Sequence, residues 1–388
     1  MSEGYVQEYG DVTEKTAEQR IGVVSIAPTM EQPVTKPFDW FYAAIGKNTG
    51  NYMFTVAMYR QLAGDVRHVG FSGNPDEINR DYDAIVVPCA NWLSGEANWD
   101  FLTSWLEQLE IPVVAIGLGL QAPSLDPNSI SVSESAIRLA RLFSQKSQYI
   151  SVRGDFTRDY LRSIGIENVV TTGCPSIYMR LLDTPKYTPD GGLAIQSTRY
   201  WITPQFLNTP GLNRDLFRIT GQGGADMVFQ SEPEELEYLT QARLEALTPE
   251  GNPETLRQLY GFDSTEKLAA FLDANGHAFT DLNAWSAYVQ TKAAVVGTRL
   301  HGTIVALNNG VPATLFGHDS RTSEMIAFAG LPTARFSGDS SELNVDALMG
   351  MVDDDACARY AETRQTHSHT YREFLRANGL KYLDAALF

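Results

Sequence analysis

The sequence predicts an α/β chain of two parallel-sheet units, and three observations carry that prediction. Short runs rich in Val and Ile alternate with amphipathic stretches, the pattern of parallel strands joined by crossover helices. The series starts afresh near Gly191. The 388 residues exceed the ~250–300 that one hydrophobic core serves before a chain divides.

In the first series the expected strands are Ile21–Ile26, Asp83–Pro88, Ile111–Gly117, Tyr149–Arg153 and Val169–Thr172, each followed by a turn and a helical pattern. Helices are expected over Phe38–Leu62, Asp100–Leu109, Ser133–Ser144 and Phe156–Ile164. In the last of these, Phe156, Tyr160, Leu161 and Ile164 share one face, with Asp155 placed to cap the start and Gly165 to end it. The second series has expected strands at Gly192–Gln196, Asp226–Phe229, Ala293–Gly297 and Val311–Phe316. The stretch 198–263 reads as an irregular insertion carrying one acidic helix near Pro233–Leu247. A long proline-free helix follows from Asp355 to Asn378, of the kind that packs back across a domain junction, and Asp353-Asp354-Asp355 is its solvated start. The expected organisation is a tail over 1–20, units over 21–185 and 186–350 with a break around 183–192, and a helical segment over 351–388.

Apolar residues at 43% and charged residues at 20% exclude a disordered or collagen-like chain. Lys plus Arg number 30 against 47 Asp plus Glu, a formal charge of −17 that repels a phosphate backbone and argues against nucleic acid as a partner. No run approaches the ~18–20 apolar residues of a bilayer span, and the first twenty residues are polar and acidic, unlike a secretory leader. Cys89, Cys174 and Cys357 are odd in number and far apart, which suits a reducing compartment and neither a disulfide framework nor a metal knuckle. A soluble, cytoplasmic protein is expected.

Three places can carry chemistry. Gly117-Leu118-Gly119-Leu120-Gln121-Ala122 fits a dinucleotide turn, but Pro123, Asp126 and Pro127 interrupt the helix such a turn needs, and no acidic residue about 20 residues on is placed to hold a ribose. A tight glycine turn at a strand end, with Gln121 lining a cleft, is the remaining reading. Arg153-Gly154-Asp155 ends a strand directly before a helix, where an anion would meet a guanidinium and free amides; pairing of Arg153 with Asp155 or Asp159 is the alternative.

The third place is Gly297-Thr298-Arg299-Leu300-His301-Gly302-Thr303, where a strand meets a helix with Thr298 as the expected N-cap. Leu300, Ile304 and Leu307 form the core stripe, leaving Arg299 and His301 in the first turn off it, and Gly302 leaves room for close approach. His318-Asp319-Ser320-Arg321 follows the next strand and faces the same crevice; Asp319 capping its helix and Arg321 pairing with Glu324 are the plain alternatives. There is no G-x-S-x-G elbow, H-E-x-x-H zinc helix or Walker loop. His367 and His369 are two apart on a helix and point to opposite sides, so they do not chelate one metal.

The segments SVRGDFTRDYL, TTGCPSIYM, VVGTRLHGTIVAL and HDSRTSEMIAFAGLP, in that order, with PCANWL and VVAIGLGLQAP before them, resemble the polysaccharide pyruvyl transferase family over roughly Ile21 to Pro332. The resemblance implies two Rossmann-like domains facing a cleft, GT-B-like, and transfer of the enolpyruvyl group of phosphoenolpyruvate onto a sugar of a polysaccharide or its precursor as a ketal. It implies an anionic donor held by Arg153, Arg299 and His301, with Arg321 a weaker match. The chain departs from many members at Asn48-Thr49-Gly50-Asn51-Tyr52, where an acidic residue commonly follows Gly-Asn. Asn51, Asn91, Trp92 and Gln121 suit sugar hydroxyls and ring faces, Trp92 equally suiting a core.

Ketal formation requires an acid, a base and an anion clamp. Arg299 and Arg153 are expected to clamp, His301 to move the proton, Asp155 or Asp319 to assist as base, and His318 to line the site. No cofactor and no metal are expected. Expected partners are phosphoenolpyruvate and a sugar or glycan acceptor, with membrane-surface contact through a lipid-linked acceptor. Two rivals stand beside this: a GT-B glycosyltransferase using a nucleotide sugar, and a non-catalytic glycan-binding protein of the same fold.

Overall fold

Alternation along the strands accounts for the architecture. In Ala84–Pro88, Ala84 and Val86 join one apolar core and Ile85 and Val87 another, so both faces of the sheet need cover, and crossover helices supply it. The computed structural model describes residues 19–30, 35–181, 188–198, 210–248, 253–334 and 343–387. Most of the expected N-terminal tail, and 182–187 of the expected junction, lie outside them.

In chain order the elements of the first half are β1 (Arg20–Val23), α1 (Phe38–Ala44), α2 (Asn51–Gln61), β2 (Asp65–His68), α3 (Pro75–Asp81), β3 (Ala84–Pro88), α4 (Asp100–Leu106), β4 (Val113–Ile116), α5 (Glu134–Lys146), β5 (Ile150–Val152), α6 (Asp155–Ser163) and β6 (Val169–Thr171). Those of the second are β7 (Leu193–Gln196), α7 (Pro210–Gly221), β8 (Ala225–Phe229), α8 (Pro233–Gln241), α9 (Pro253–Leu259), α10 (Thr265–Asn275), β9 (Gly276–Ala278), α11 (Leu282–Val289), β10 (Ala294–Gly297), α12 (Leu300–Asn308), β11 (Ala313–Leu315) and α13 (Ser320–Ala329). Short α14 (Val345–Met349) and long α15 (Asp354–Ala377) close the chain.

One sheet runs β2-β1-β3-β4 and the other β11-β10-β7-β8-β9, with every pair parallel. The β5–β6 pair extends the first sheet through a parallel bridge between Leu118 and Val152. This is the two-sheet plan of a GT-B-like fold. α1 crosses over: Phe38, Phe41 and Ile45 pack into the core of the second sheet. α15 ties the halves together. Its start reaches β11 and α12, through Cys357 on Ala313 O and through Tyr360 and Arg364 donating to Asn308 Oδ1. Further along, Tyr371 stacks on Tyr178 and donates to Gln61 Oε1 at 2.9 Å, and Asn378 accepts from the Tyr149 N–H.

Several expectations need correction. The helix expected over Phe38–Leu62 is two helices, because Gly46 and Lys47 take left-handed φ of 61° and 59° and Asn51 Nδ2 clamps the turn by donating to Ile45 O and Gly46 O. Where it is described, the stretch 198–263 is no irregular insertion: β8 and the acidic helix α8 stand where a strand and a helix were expected, and α7 and α9 complete this part of the second βα series. Strands β2 and β9 were not expected, since DVRH and GHA offer no apolar run, and both are sheet edges, where a polar strand is tolerated. Neither expected cap acts as one: Gly154 is the N-cap of α6 and Arg299 that of α12, both without a side-chain bond.

Candidate active site

Because both sheets are parallel, the loops at their carboxyl ends carry the free backbone and the polar side chains. These loops touch across the two halves. The Thr49 N–H donates to Gln230 O at 2.8 Å. Ser320, opening α13, donates its N–H to Ala122 O while its hydroxyl accepts from the Ala122 N–H and donates to Leu120 O. The start of α2 meets the start of α12, and glycine makes that approach feasible. A Cβ on Gly302 would lie 1.4 Å from Gln196 Oε1, and one on Gly50 would lie 2.6 Å from Gln230 Oε1 and 3.3 Å from His301 Cβ.

His301 sits at this junction, 8% exposed, with its ring 5.5 Å from that of Phe54 and its Nε2 3.7 Å from Cys174 Sγ. Burial, then the charges of Arg153 and Arg321, push its pKa down to about 3, so the ring is neutral at physiological pH.

Arg153 reaches the same place from the end of β5. It is 2% exposed, donates from Nε to Gly117 O and from Nη1 to Asn91 Oδ1, both at 3.1 Å, and has a buried Nη2 without a partner. Among the described residues it pairs with neither Asp155 nor Asp159, which bind Arg158 instead. Gly119 passes so close that a Cβ there would meet Arg153 Cδ at 2.8 Å. A buried guanidinium with an unused donor suits a carboxylate or phosphate ligand.

The other cations are engaged. Arg299 donates to Ser197 O and Ser231 Oγ and forms an ion pair with the fully buried Glu232. Arg321 does not pair with Glu324; it holds Asp319 at 2.5 Å. Asp319 caps α13 through the Thr322 N–H in a reciprocal capping box. Burial opposes its charge, but Arg321, His318 and these bonds hold its pKa below the usual value. His318 is buried beside it, Nε2 3.8 Å from Asp319, with burial depressing its pKa more than Asp319 raises it.

The start of α6 was expected to hold an external anion. Glu324 of α13 occupies it, accepting from the Thr157 N–H at 2.7 Å and the Thr157 hydroxyl at 2.9 Å. Burial raises the Glu324 pKa to about 7, against the Thr157 bonds and Arg153. Asp155 lies outside this contact, bonded to Arg158 and Thr171. Asn91 is gathered into the site through Arg153, whereas Asn51 serves the α1–α2 turn. Gln121 is half-buried and joined to Leu93 O through its backbone. Trp92 is nearly buried, stacked at 4.4 Å on Trp99 and 6.4 Å from Phe71.

Sequence reading missed Cys174, Gln196, Gln230, Glu232 and Glu324. All but Glu324 follow or end a strand at the carboxyl edge, so the rule that led to Arg153 and Arg299 applies to them too. Among the described residues no three His, Cys, Asp or Glu form a metal-holding group, and no helix is long and apolar enough to cross a membrane.

Two parallel sheets whose carboxyl-edge loops meet place this chain among GT-B-like α/β proteins. Its family follows from the sequence: residues 48–320 match the model for polysaccharide pyruvyl transferase, and the chain belongs to that family and is a transferase. No curated protein matches it. Among solved structures it is similar to UDP-N-acetylglucosamine 2-epimerase from Rickettsia bellii, at 11% identity over 92% of this chain and 96% of that one, with a TM-score of 0.44. A functionally uncharacterised Klebsiella pneumoniae protein matches at 12% identity over 82% and 94%, with a TM-score of 0.41. UDP-GlcNAc 2-epimerase from Neisseria meningitidis, bound to UDP-GlcNAc, matches at 10% over 93% and 100%, with a TM-score of 0.40.

Proposed function

We propose that this transferase moves the enolpyruvyl group of phosphoenolpyruvate onto two hydroxyls of a sugar, forming a pyruvate ketal on a polysaccharide or its precursor. The observation that carries the reading is Arg153, a 2%-exposed guanidinium whose Nη2 has no partner and whose charge bears on His301. Such a group is expensive to bury unless an anion completes it.

In the reaction one sugar oxygen attacks the donor's C2 as the methylene carbon takes a proton. The C2–O bond to phosphate breaks, and the second hydroxyl closes the ketal. One hydroxyl proton is thereby accounted for on the new methyl group and the other on phosphate. Arg153 binds the donor's anionic end. His301, neutral before binding, gains proton affinity when phosphate arrives beside it and moves the proton. Asn91 orients Arg153, and the Trp92 region with Gln121 lies toward the acceptor. Arg299, matched with Glu232, contributes a held, neutral floor more than free charge. The domain limits 21–185 and 186–350, a cytoplasmic location and a lipid-linked acceptor belong to this proposal too.

The test is calorimetric titration of the folded protein with phosphoenolpyruvate and with several nucleotide sugars. Saturable phosphoenolpyruvate binding that is lost in Arg153→Ala supports the reading. Binding of a nucleotide sugar alone replaces it with glycosyl transfer, and binding of neither donor beside glycan affinity replaces it with a glycan-binding role.

A further inference from the structure

Cys174 stands just past β6 in the first half, fully buried, and His301 comes from α12 in the second half. Their side chains meet across the junction, Sγ to Nε2 at 3.7 Å. The thiol's place is held from several sides. Ser176 Oγ donates to Sγ at 3.0 Å, and Asn308 Nδ2 and Gln61 Nε2 hold the following turn through Ser176 O and Pro175 O. Tyr178 bonds back to Thr172 O at 2.5 Å. Phe54 flanks the imidazole, so neither partner is free to turn away.

The direction of the contact follows from its chemistry. Sulfur is a weak acceptor and already receives the Ser176 hydroxyl, while an unprotonated imidazole nitrogen is a strong acceptor. The thiol proton therefore goes to Nε2, and a neutral ring that accepts at Nε2 carries its own proton on Nδ1. Among the described residues no protein group bonds Nδ1, which leaves that N–H for a ligand.

We propose that Cys174 is a positioning residue that fixes His301 as the Nδ1–H tautomer, presenting a hydrogen-bond donor to the donor substrate's anionic group. The inference rests on the functional reading above for what Nδ1 meets, and on the contacts and burial of His301 for the tautomer. Because the thiol and the ring belong to opposite halves, the selection holds only while the halves are apposed.

The experiment is a long-range proton–nitrogen NMR correlation on ligand-free protein labelled with 15N-histidine, with His301 assigned by the signals lost in His301→Gln. Wild type should show Nε2 as the unprotonated nitrogen and Nδ1 as N–H. Cys174→Ala should shift the ring toward the Nε2–H form, and Cys174→Ser, whose hydroxyl also donates, should keep Nδ1–H. An Nε2–H ring in wild type, or an unchanged tautomer in Cys174→Ala, would overturn the proposal. A second readout is kinetic: Cys174→Ala should lower kcat/KM for phosphoenolpyruvate by about 10–100-fold, the scale on which losing an outer partner of a metal-bound imidazole acts, with Cys174→Ser largely restored. Absence of phosphoenolpyruvate binding in wild type would overturn the functional reading while the tautomer result stood.

Discussion

Arg153 and Arg299 occupy matching positions in the two halves, each just beyond the carboxyl end of a buried strand and just ahead of a helix. Arg299 is neutralised by Glu232 and bonded to Ser197 and Ser231. Arg153 is more deeply buried, yet it meets only the neutral oxygens of Gly117 and Asn91. The nearby carboxylate, Glu324, is spent on Thr157 at the start of α6. One half thus spends its arginine on an ion pair, and the other leaves a buried guanidinium with an unused donor.

The largest effect should come from breaking the matched arginine. Glu232→Gln leaves Arg299 buried without its carboxylate and should destabilise the fold by about 3–5 kcal/mol, read from urea unfolding. A loss under about 1 kcal/mol would mean that Arg299 is no better matched than Arg153.

Next comes the acidic group that guards α6. Glu324 has a folded pKa of about 7 against the ordinary carboxyl value of 4.5, so between these pH values the folded state holds a proton that the unfolded state has released. Stability from this group is present below about pH 4.5 and is lost as pH rises through 7, by roughly 3 kcal/mol. His301 acts in the opposite sense. With a folded pKa of about 3 against 6.5, it withdraws stability as pH falls below 6.5. Unfolding curves at pH 5 to 8 should therefore show that Glu324→Gln gains on wild type as pH rises; parallel curves would refute the assignment.

Arg153→Met sharpens the contrast from the other side. It removes an unmatched buried charge, so ligand-free stability should hold within about 1 kcal/mol or rise. Donor binding should weaken by about 1.5–3 kcal/mol, roughly 10–100-fold in Kd. Calorimetry alongside urea unfolding checks both, and a variant that is folded but clearly destabilised and binds normally would reverse the roles given to the two arginines.

The smallest expected effect is at Gly302, which lies over Gln196 in the paired half. Gly302→Ala must displace Gln196 from its 2.7 Å bond with Gln230 and should destabilise by about 1–3 kcal/mol, again by urea unfolding.

Local chemistry accounts for what was legible. The Val- and Ile-rich strands, the parallel α/β class, the long C-terminal helix and the polar groups at strand ends follow from periodicity and strand polarity. Edge strands β2 and β9 escaped because a strand on a sheet edge does not need an apolar run. The break after α1 escaped because Lys47 in a left-handed turn leaves no compositional mark.

What the sequence determined by itself is which side chains lie at the carboxyl ends of buried strands, for a residue's distance from its own strand's end is a local property. Only the tertiary structure decided what those side chains meet. Glu324 reaches Thr157 across 167 residues of chain and Glu232 reaches Arg299 across 67, and no local signal encodes such partners. Pairing depends on which strand ends the two sheets bring face to face, so Arg153 and Arg299 read alike in sequence and differ in the fold.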